Sequence, residues 1–504
     1  MLKPLIARLD PGTFTAFVGG LLATEALHVG LSPAQVVMSD AISEPDGGLD
    51  AILEDVPSHG TGLRPATDLV EGRMGFQLKA ARRKTPSAFE LAKELRKPGP
   101  KRLLVNGGTY VLVSSQDLNP QQRSAIEEAL VKEAEAVLAE EGVTASPSVR
   151  LWDAETLAIM SMIHPAPAMD LGLSDFGAAL TLQELLDILH AEQRPFQSDA
   201  ARDEAIQQIR NRLGTDQSDP LLLQVHGDPG IGKTRTVAHA LDIEEARDLV
   251  LWINGRDDLN LLITRLARNS MSRGILFVDE VDAHDAADAM ERISGLGGRW
   301  RLVTVTSRGD SRWMPSSTRN IVLPPMADDA MQELLEGHSG LSSTDARRVA
   351  QVASGFPELA FTLADELHAD PTLDLVRLAR LPQASAILER ALKDDDTRRH
   401  LAPLALFAGV GFEDELRTQM IEVASAFDLD PAAMEHACES ELGRFVSRAG
   451  RYRLISPLLV AIWLATDLIE RTPGFSDRVA TLSQPLQDAF VRQLDVFGPD
   501  APHL

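Results

Sequence analysis

The stretch that decides the fold is Gly227-Asp228-Pro229-Gly230-Ile231-Gly232-Lys233-Thr234, between an apolar run at 221–225 and a helical pattern at 237–241. This order predicts a strand, a phosphate-binding loop and a helix. Glycines let successive backbone N–H groups turn toward an anion at a helix N-terminus, where the macrodipole favours negative charge. We therefore expect nucleotide binding, with Lys233 reaching the β- and γ-phosphates and Thr234 a Mg²⁺ ion. The residues of this segment predicted to contact the nucleotide are Gly227, Asp228, Pro229, Gly230, Ile231, Gly232, Lys233, Thr234 and Arg235.

A second part of the nucleotide site follows later in the chain. Residues 275–278 form an apolar run that ends at Asp279 and Glu280. Such a strand end predicts a Mg²⁺ contact from Asp279 and a general base, Glu280, for the attacking water. Another apolar run, at 302–306, leads to Arg308, which is placed to sense the γ-phosphate. The alternation of strand and helix patterns predicts a doubly wound α/β domain with a parallel sheet. The expected cofactors are ATP and Mg²⁺.

Composition places the chain among globular rather than disordered proteins, because 44% of its 504 residues are hydrophobic and 24% are charged. This length predicts about three domains. The net charge of −25 disfavours a surface permanently coated with nucleic acid, so any DNA contact should be local. The single cysteine, Cys438, excludes an intrachain disulfide and suits a reducing compartment. No run reaches the roughly 18 apolar residues of a membrane span. We expect a cytoplasmic protein without a membrane partner.

The N-terminal third carries a second candidate site. Short strands are predicted at 46–54 and 75–80, and the two could lie side by side. Asp50 lies on the first segment, while Gln77 and Lys79 are two residues apart on the second and therefore share a face. A carboxylate and an amide oxygen can hold Mg²⁺ against a phosphate, and a lysine beside them can orient or deprotonate an attacking water.

A basic run adjoins this site. It contains nine lysines and arginines from Lys79 to Arg102, against the two acids Glu90 and Glu94, in an otherwise acidic protein. Such runs are usually solvated surfaces, but the position of this one predicts contact with nucleic-acid phosphates. The expected substrate is double-stranded DNA.

Asp50 with the pair Gln77-x-Lys79 resembles the motif of the PD-(D/E)xK nucleases, in the variant with glutamine in the middle position. The stretches Asp46-Gly47-Gly48-Leu49-Asp50 and Phe76-Gln77-Leu78-Lys79 are similar to Mrr-like restriction endonucleases in particular. The resemblance implies a restriction-endonuclease-like α/β domain in which Asp50, Gln77 and Lys79 are catalytic and Asp50 and Gln77 hold the metal.

Later elements resemble the same nuclease fold, namely a strand at 110–113, a helix at 121–140 and a strand at 149–153. An amphipathic helix at 12–27 is predicted to begin the domain. Nucleases of this type often carry a glutamate in that helix. This sequence departs from the pattern, because Thr15 stands near the place and Glu25 lies well downstream.

Features after the sheet resemble the STAND branch of P-loop ATPases. Thr306-Ser307-Arg308 is followed by the helix start Gly355-Phe356-Pro357, and the resemblance implies that Pro357 packs by the adenine below a helical lid. The pattern at 445–455 resembles the wing of a winged helix. Together with the N-terminal third, these features resemble bacterial antiviral STAND (Avs-type) defence proteins. That resemblance implies an ATP-switched DNA endonuclease that forms a homo-oligomer when a trigger or sensor partner activates it.

The predicted domains are a nuclease domain at 1–165, a helical linker at 166–220, an ATPase core at 221–330, a helical lid at 331–395, and a winged-helix and C-terminal helical region at 396–504.

Two other functions stay open at this point. One is a regulatory ATPase whose N-terminal domain binds DNA or a partner without cleaving, as in a transcriptional regulator. The other is an AAA+-type loader, favoured by Asp279-Glu280-Val281-Asp282 and disfavoured by Gly355-Phe356-Pro357. Asp50 together with Lys79 separates a nuclease from a binding module, since a binding module needs no metal ligand beside a basic residue.

Overall fold

The structure is a computed structural model. It describes residues 2–29, 31–38, 47–57, 69–80, 87–173, 176–191, 194–213, 222–243, 246–255, 259–268, 270–281, 283–306, 318–369, 381–392, 394–442, 445–449, 451–456 and 458–497. The chain divides into two compact units. The first comprises Met1–Glu192, Ile206–Val225 and Val237–Ile321, and the second comprises Gln193–Ala205, His226–Thr236 and Val322–Leu504.

A five-stranded sheet opens the first unit. Its strands are β1 (Val36–Met38), β2 (Ala51–Val56), β3 (Gly72–Lys79), β4 (Thr109–Ser114) and β5 (Ser148–Trp152). They lie in the order β1-β2-β3-β4-β5; β1, β2 and β3 are antiparallel neighbours, whereas β3, β4 and β5 are parallel. Ala51 lies opposite Phe76, which confirms that the strand after Asp50 pairs with the strand that carries Gln77.

Helices cover both faces of this sheet. They are α1 (Leu2–Ile6), α2 (Pro11–His28), α3 (Ala88–Ala92), α4 (Pro98–Val105), α5 (Pro120–Glu140), α6 (Ala154–Ile163) and α7 (Pro165–Asp170). Side chains alternate along β4, so Val111 packs in one core with Phe17, while Tyr110 packs in another with Leu130. The helix predicted at 12–27 is confirmed as α2, and the Asp10 side chain caps it by accepting from two backbone N–H groups.

A six-stranded sheet completes the first unit. Its strands are β6 (Leu180–Thr181), β7 (Leu222–His226), β8 (Val250–Asn254), β9 (Gly274–Asp279), β10 (Trp300–Thr306) and β11 (Arg319–Val322), in the order β11-β7-β10-β9-β8-β6. The helices along this part of the chain are α8 (Leu182–Ala191), α9 (Ala200–Leu213), α10 (Lys233–Leu241), α11 (Leu259–Arg268) and α12 (Ala283–Ser294). Strands β8, β9 and β10 are parallel, so the predicted α/β class with a parallel sheet is confirmed.

One strand lies where the sequence predicted only helices. Within 166–220, Leu180 and Thr181 pair antiparallel with Trp252 and Leu251 and extend the edge of the six-stranded sheet. Two residues are too short for an alternating pattern to reveal a strand, so only the pairing partner defines it.

The second unit is mostly helical. Its helices are α13 (Asp328–Ser339), α14 (Ser343–Ala353), α15 (Pro357–Ala369), α16 (Pro382–Ala391), α17 (Asp395–Leu401), α18 (Arg417–Ala426), α19 (Pro431–Ser440), α20 (Leu458–Arg471), α21 (Phe475–Ala480) and α22 (Gln484–Phe497). A small antiparallel sheet of β12 (Val410–Gly411), β14 (Tyr452–Ile455) and β13 (Val446–Ala449) contains the hairpin predicted near 445–455. No helix in the described part of the chain is long and apolar enough to cross a membrane.

Candidate functional site

The phosphate loop follows β7 and leads into α10, in the order that the sequence predicted. Gly230 and Gly232 have φ angles of 81° and 90°, which residues with a Cβ rarely adopt. Lys233 is only 8% exposed, and its Nζ donates to the carbonyl oxygens of Gly227 at 2.9 Å and Asp228 at 2.7 Å. The loop therefore holds a positive charge against its own backbone, which suits the residues present to a phosphate anion.

The Gly-x-Pro segment contacts this loop within the second unit. Pro357 is the first residue of α15, and the next residue, Glu358, donates its backbone N–H to the Gly230 carbonyl at 3.2 Å. Phe356 stacks on Phe445 with the ring centroids 6.5 Å apart. The hydrogen bond from Glu358 thus holds the N-terminus of α15 against the phosphate loop.

Two further residues of the predicted nucleotide set lie in the first turn of α10. These are Thr234 and Arg235, and the Arg235 guanidinium donates to the Arg194 carbonyl. Their contact with a nucleotide stays a prediction.

Arg202 supports the phosphate loop through a direct hydrogen bond. It is 1% exposed, and its Nη2 donates to the Ile231 carbonyl at 2.6 Å while its Nη1 donates to Asp199 Oδ2 at 2.7 Å. The same carboxylate oxygen accepts from the Ala327 backbone N–H at 3.1 Å. Burial lowers the pKa of Arg202, although the neighbouring Asp199 opposes the shift. This pair joins helix α9, the phosphate loop and the segment before α13.

Arg202→Ala is therefore expected to destabilise the second unit. Removing one partner of a buried ion pair costs about 3–5 kcal/mol, since the remaining charge stays buried. Urea unfolding followed by circular dichroism would measure the loss. The double variant Asp199→Asn, Arg202→Met is the control, because it leaves no unpaired charge and should recover part of the stability. A midpoint for Arg202→Ala equal to that of wild type would refute a supporting role.

The predicted acidic pair lies in the first unit. Asp279 is buried at the end of β9, and its Oδ1 accepts from the Glu280 backbone N–H at 2.9 Å. Glu280 is exposed and has a φ of 51°, an uncommon conformation for a residue with a side chain. The strand end at Asp279 is confirmed, while the catalytic roles stay predictions. Arg308 lies outside the described residues.

The N-terminal candidate site is assembled by the pairing of β2 with β3. The backbone N–H of Asp50 donates to the Phe76 carbonyl at 2.8 Å, and Asp50 Oδ2 accepts from the Leu78 N–H at 2.6 Å. The Asp50 carboxylate therefore lies against the strand that carries Gln77 and Lys79.

Gln77 is 2% exposed and connects two residues that the sequence did not assign to the site. Its Oε1 accepts from the Tyr110 hydroxyl at 2.6 Å, and its Nε2 donates to Glu94 Oε2 at 2.5 Å. Burial, followed by the charges of Glu94 and Asp50, raises the pKa of Tyr110 well above its usual value. The hydroxyl therefore stays protonated and able to donate.

Glu94 also faces two lysines. Its Oε1 lies 3.2 Å from Lys79 Nζ, and its Oε2 lies 2.7 Å from Lys97 Nζ. Burial alone would raise the pKa of Glu94, but the hydrogen bond from Lys97, the charge of Lys79 and the Gln77 amide outweigh it, so the pKa lies below its usual value. Its one sequence signal was its place as one of two acids in a basic run. Tyr110 gave no signal, because it reads as a core residue of a strand.

Other members of the basic run pair with acids of helix α5 or with the residue that follows it. Arg96 contacts Glu133 and Glu140, and Lys101 Nζ lies 2.6 Å from Glu141. These ion pairs reduce the positive charge that the run presents. Arg82, Arg83 and Lys84 lie outside the described residues.

The nuclease pattern expects a glutamate of helix α2 at the metal site. The two residues of α2 considered for this role, Thr15 and Glu25, make other contacts. Thr15 Oγ1 donates to the Pro11 carbonyl of its own helix, and Glu25 is buried with its Oε1 3.1 Å from His164 Nε2. Neither contact involves the residues around Asp50.

The N-terminal residues fit a Mg²⁺ ion that is only partly enclosed by protein. Among the described residues, no group of three or more His, Cys, Asp or Glu side chains is arranged to hold a metal. Asp50 and Glu94 provide two carboxylates near Tyr110. Mg²⁺ commonly binds through one or two carboxylates, with water and substrate phosphates completing its coordination. This donor set is therefore suited to an ion bound together with a phosphodiester.

No protein-family model matches the chain, and no curated protein matches it. Solved structures share limited similarity. A signal transduction ATPase with numerous domains (STAND) protein with a tetratricopeptide repeat sensor, from Pyrococcus horikoshii, is 12% identical over 60% of this chain, which spans 49% of that protein, with a TM-score of 0.25. The Holliday junction branch migration motor RuvB from Thermotoga maritima is 17% identical over 56% of this chain and 99% of its own, with a TM-score of 0.31.

A chain from the structure of Drosophila ORC bound to DNA is 14% identical over 54% of this chain and 86% of its own, with a TM-score of 0.27. At these TM-scores the similarity carries no conclusion about activity or partners.

Proposed function

We propose that this chain is an ATP-switched DNA endonuclease, with a P-loop ATPase that controls a Mg²⁺-dependent nuclease in the N-terminal third. The observation that carries the ATPase half is the phosphate loop, where Lys233 is held over the carbonyl groups of Gly227 and Asp228. The contact between Glu358 and Gly230 supports a lid that responds to the state of this loop.

Each ATPase residue has a stated role. Lys233 and the backbone N–H groups of the loop bind the phosphates, and Pro357 packs by the adenine. Thr234 and Asp279 are the residues that would hold Mg²⁺, and the ion would supply positive charge to offset the negative charge of the transferred phosphoryl group. Glu280 accepts the proton of the attacking water at its carboxylate.

The nuclease half is supported by the meeting of Asp50, Gln77 and Lys79 around one strand pair. Bound Mg²⁺ would polarise the scissile phosphodiester and stabilise the leaving oxygen. Asp50 contributes a carboxylate fixed by the Leu78 N–H. Lys79 offers a partly exposed ammonium, paired with Glu94, that orients the water and offsets negative charge.

We further propose that ATP binding promotes homo-oligomers and that hydrolysis resets them, so that DNA cleavage is confined to activated protein. The net charge of −25 agrees with a DNA contact that is local and gated. Degradation of nucleic acid after a trigger would serve defence against phage in the cytoplasm.

One experiment tests the whole proposal. Purified protein is incubated with plasmid, Mg²⁺ and ATP, with and without extract from phage-infected cells, while plasmid loss and phosphate release are both recorded. Cleavage that needs Mg²⁺, ATP and the infected-cell extract supports the proposal. Phosphate release without plasmid loss under every condition favours the regulatory ATPase below.

Glu280→Gln is expected to bind ATP normally and to hydrolyse it at least about 100-fold more slowly, because the amide keeps the shape of the side chain but cannot accept the proton. The bound ATP should then persist and hold the assembled state. Size-exclusion chromatography with ATP should show a larger species than wild type. A monomer in both proteins would contradict assembly driven by ATP.

A second function has its own supporting observation. Lys79 and Lys97 both pair with Glu94, Arg96 pairs with acids of α5, and Lys101 pairs with Glu141 just after that helix. An ion-pair network of this kind can be purely structural. It favours a regulatory ATPase whose N-terminal domain binds DNA or a partner without cleaving it.

A further inference from the structure

We propose that Glu94, from the short helical turn Lys93–Arg96, is the second carboxylate ligand of the N-terminal metal site and that Gln77 positions it. The inference rests on the proposed nuclease function. It assigns the ligand role to a residue outside the Asp50, Gln77 and Lys79 motif, and it changes the role of Gln77 from metal ligand to positioning residue.

The orientation of the Gln77 amide follows from its two neighbours. A carboxylate accepts hydrogen bonds but cannot donate them, so the Gln77 NH₂ group must face Glu94 Oε2, 2.5 Å away. The Gln77 oxygen then faces the Tyr110 hydroxyl, which donates to it at 2.6 Å. That oxygen is therefore engaged by a buried hydroxyl.

Two hydrogen bonds link Tyr110 to Gln77 and Gln77 to Glu94. They hold the Glu94 carboxylate in one position, which neutralising its charge would not require. Pairing a carboxylate with Lys79 and Lys97 at the surface needs no buried amide and no buried phenol. Here both are present, and the side chains of Gln77 and Tyr110 are almost fully buried. Side chains that orient a metal ligand commonly do so through such hydrogen bonds.

The two oxygens of Glu94 have different surroundings. Oε2 accepts from Gln77 and Lys97, whereas Oε1 faces the Lys79 ammonium at 3.2 Å. Oε1 is therefore the oxygen assigned to the ion. Lys79 supplies the compensating positive charge without the ion and is available to water or phosphate with it.

The test measures Mn²⁺ binding to the full chain without nucleotide, by titration followed with electron paramagnetic resonance. Asp50→Asn defines the signal that belongs to this site. Glu94→Gln is expected to weaken that binding by at least about tenfold, the loss seen when even a supporting residue of a metal site is removed. Glu141→Gln is the matched control, since it removes a carboxylate that pairs with Lys101 of the same basic run. It should leave Mn²⁺ affinity unchanged.

An exchange variant sharpens the test. Glu94→Gln combined with Gln77→Glu moves the carboxylate to the strand, where the Tyr110 hydroxyl and the new amide can both donate to it. Mn²⁺ affinity should stay low, because residue 77 faces the buried Tyr110 hydroxyl and positions the ligand instead of binding the ion. Thermal unfolding of each variant confirms that it is folded.

The outcomes separate this inference from the proposed function. Wild-type Mn²⁺ affinity in Glu94→Gln, with loss in Asp50→Asn, overturns the assignment of Glu94 and leaves the nuclease standing. Equal losses in Glu94→Gln and Glu141→Gln also overturn it, and so does recovery of Mn²⁺ affinity in the exchange variant, which would make residue 77 the ligand. Wild-type protein that neither binds Mn²⁺ at Asp50 nor cleaves DNA refutes the nuclease itself.

Discussion

Lys233→Ala is expected to abolish ATP binding while the fold stays intact. The Nζ group donates to the carbonyl oxygens of Gly227 and Asp228, and water can replace it at both. A bound phosphate, in contrast, loses its charge-assisted hydrogen bond. We expect at least about a 100-fold loss of affinity, equivalent to about 2.7 kcal/mol. Calorimetric titration with ATP should show no heat.

Lys233→Met is the matched variant, because it keeps most of the length and packing of the side chain and removes only the charge. Both variants should unfold near the wild-type temperature. An ATP affinity of the methionine variant within a few fold of wild type would refute the assignment of this loop to phosphate binding.

Asp50→Asn is expected to eliminate Mg²⁺-dependent DNA cleavage. Asparagine can still accept the hydrogen bond that Leu78 donates to Asp50 Oδ2, so the local fold should survive. The negative charge is lost from a site whose motif already has Gln77 in place of an acid. Too little charge then remains to hold the ion against its hydration. Plasmid degradation under activating conditions measures the effect.

Lys79→Met tests the same site by a different route. The carboxylates remain, but the ammonium that faces Glu94 Oε1 at 3.2 Å is gone. A drop in cleavage of about 100- to 10,000-fold is expected if the amino group takes part in proton transfer. Phosphate release from ATP should not change in either variant, because Asp50 and Lys79 belong to the N-terminal sheet. Cleavage that survives both substitutions would make the N-terminal third a binding module.

The sequence by itself determined the elements whose signals are local. The phosphate loop was readable because Gly230 and Gly232 must adopt positive φ and Lys233 follows at a set spacing, all within one turn. The acidic end of β9 was readable because a continuous apolar run stops at Asp279. Helix α2, with its Asp10 cap, likewise depends on neighbours in sequence.

Tertiary structure alone decided which distant side chains meet. Glu94 reaches Gln77 across 17 residues, and Tyr110 reaches it across 33, because parallel pairing of β3 with β4 sets Gln77 beside Leu112 and so brings Tyr110 within reach. Arg202 reaches Ile231 across 29 residues. Local propensity carries no information about such partners, since each contact depends on strand register and helix packing that only the folded chain provides.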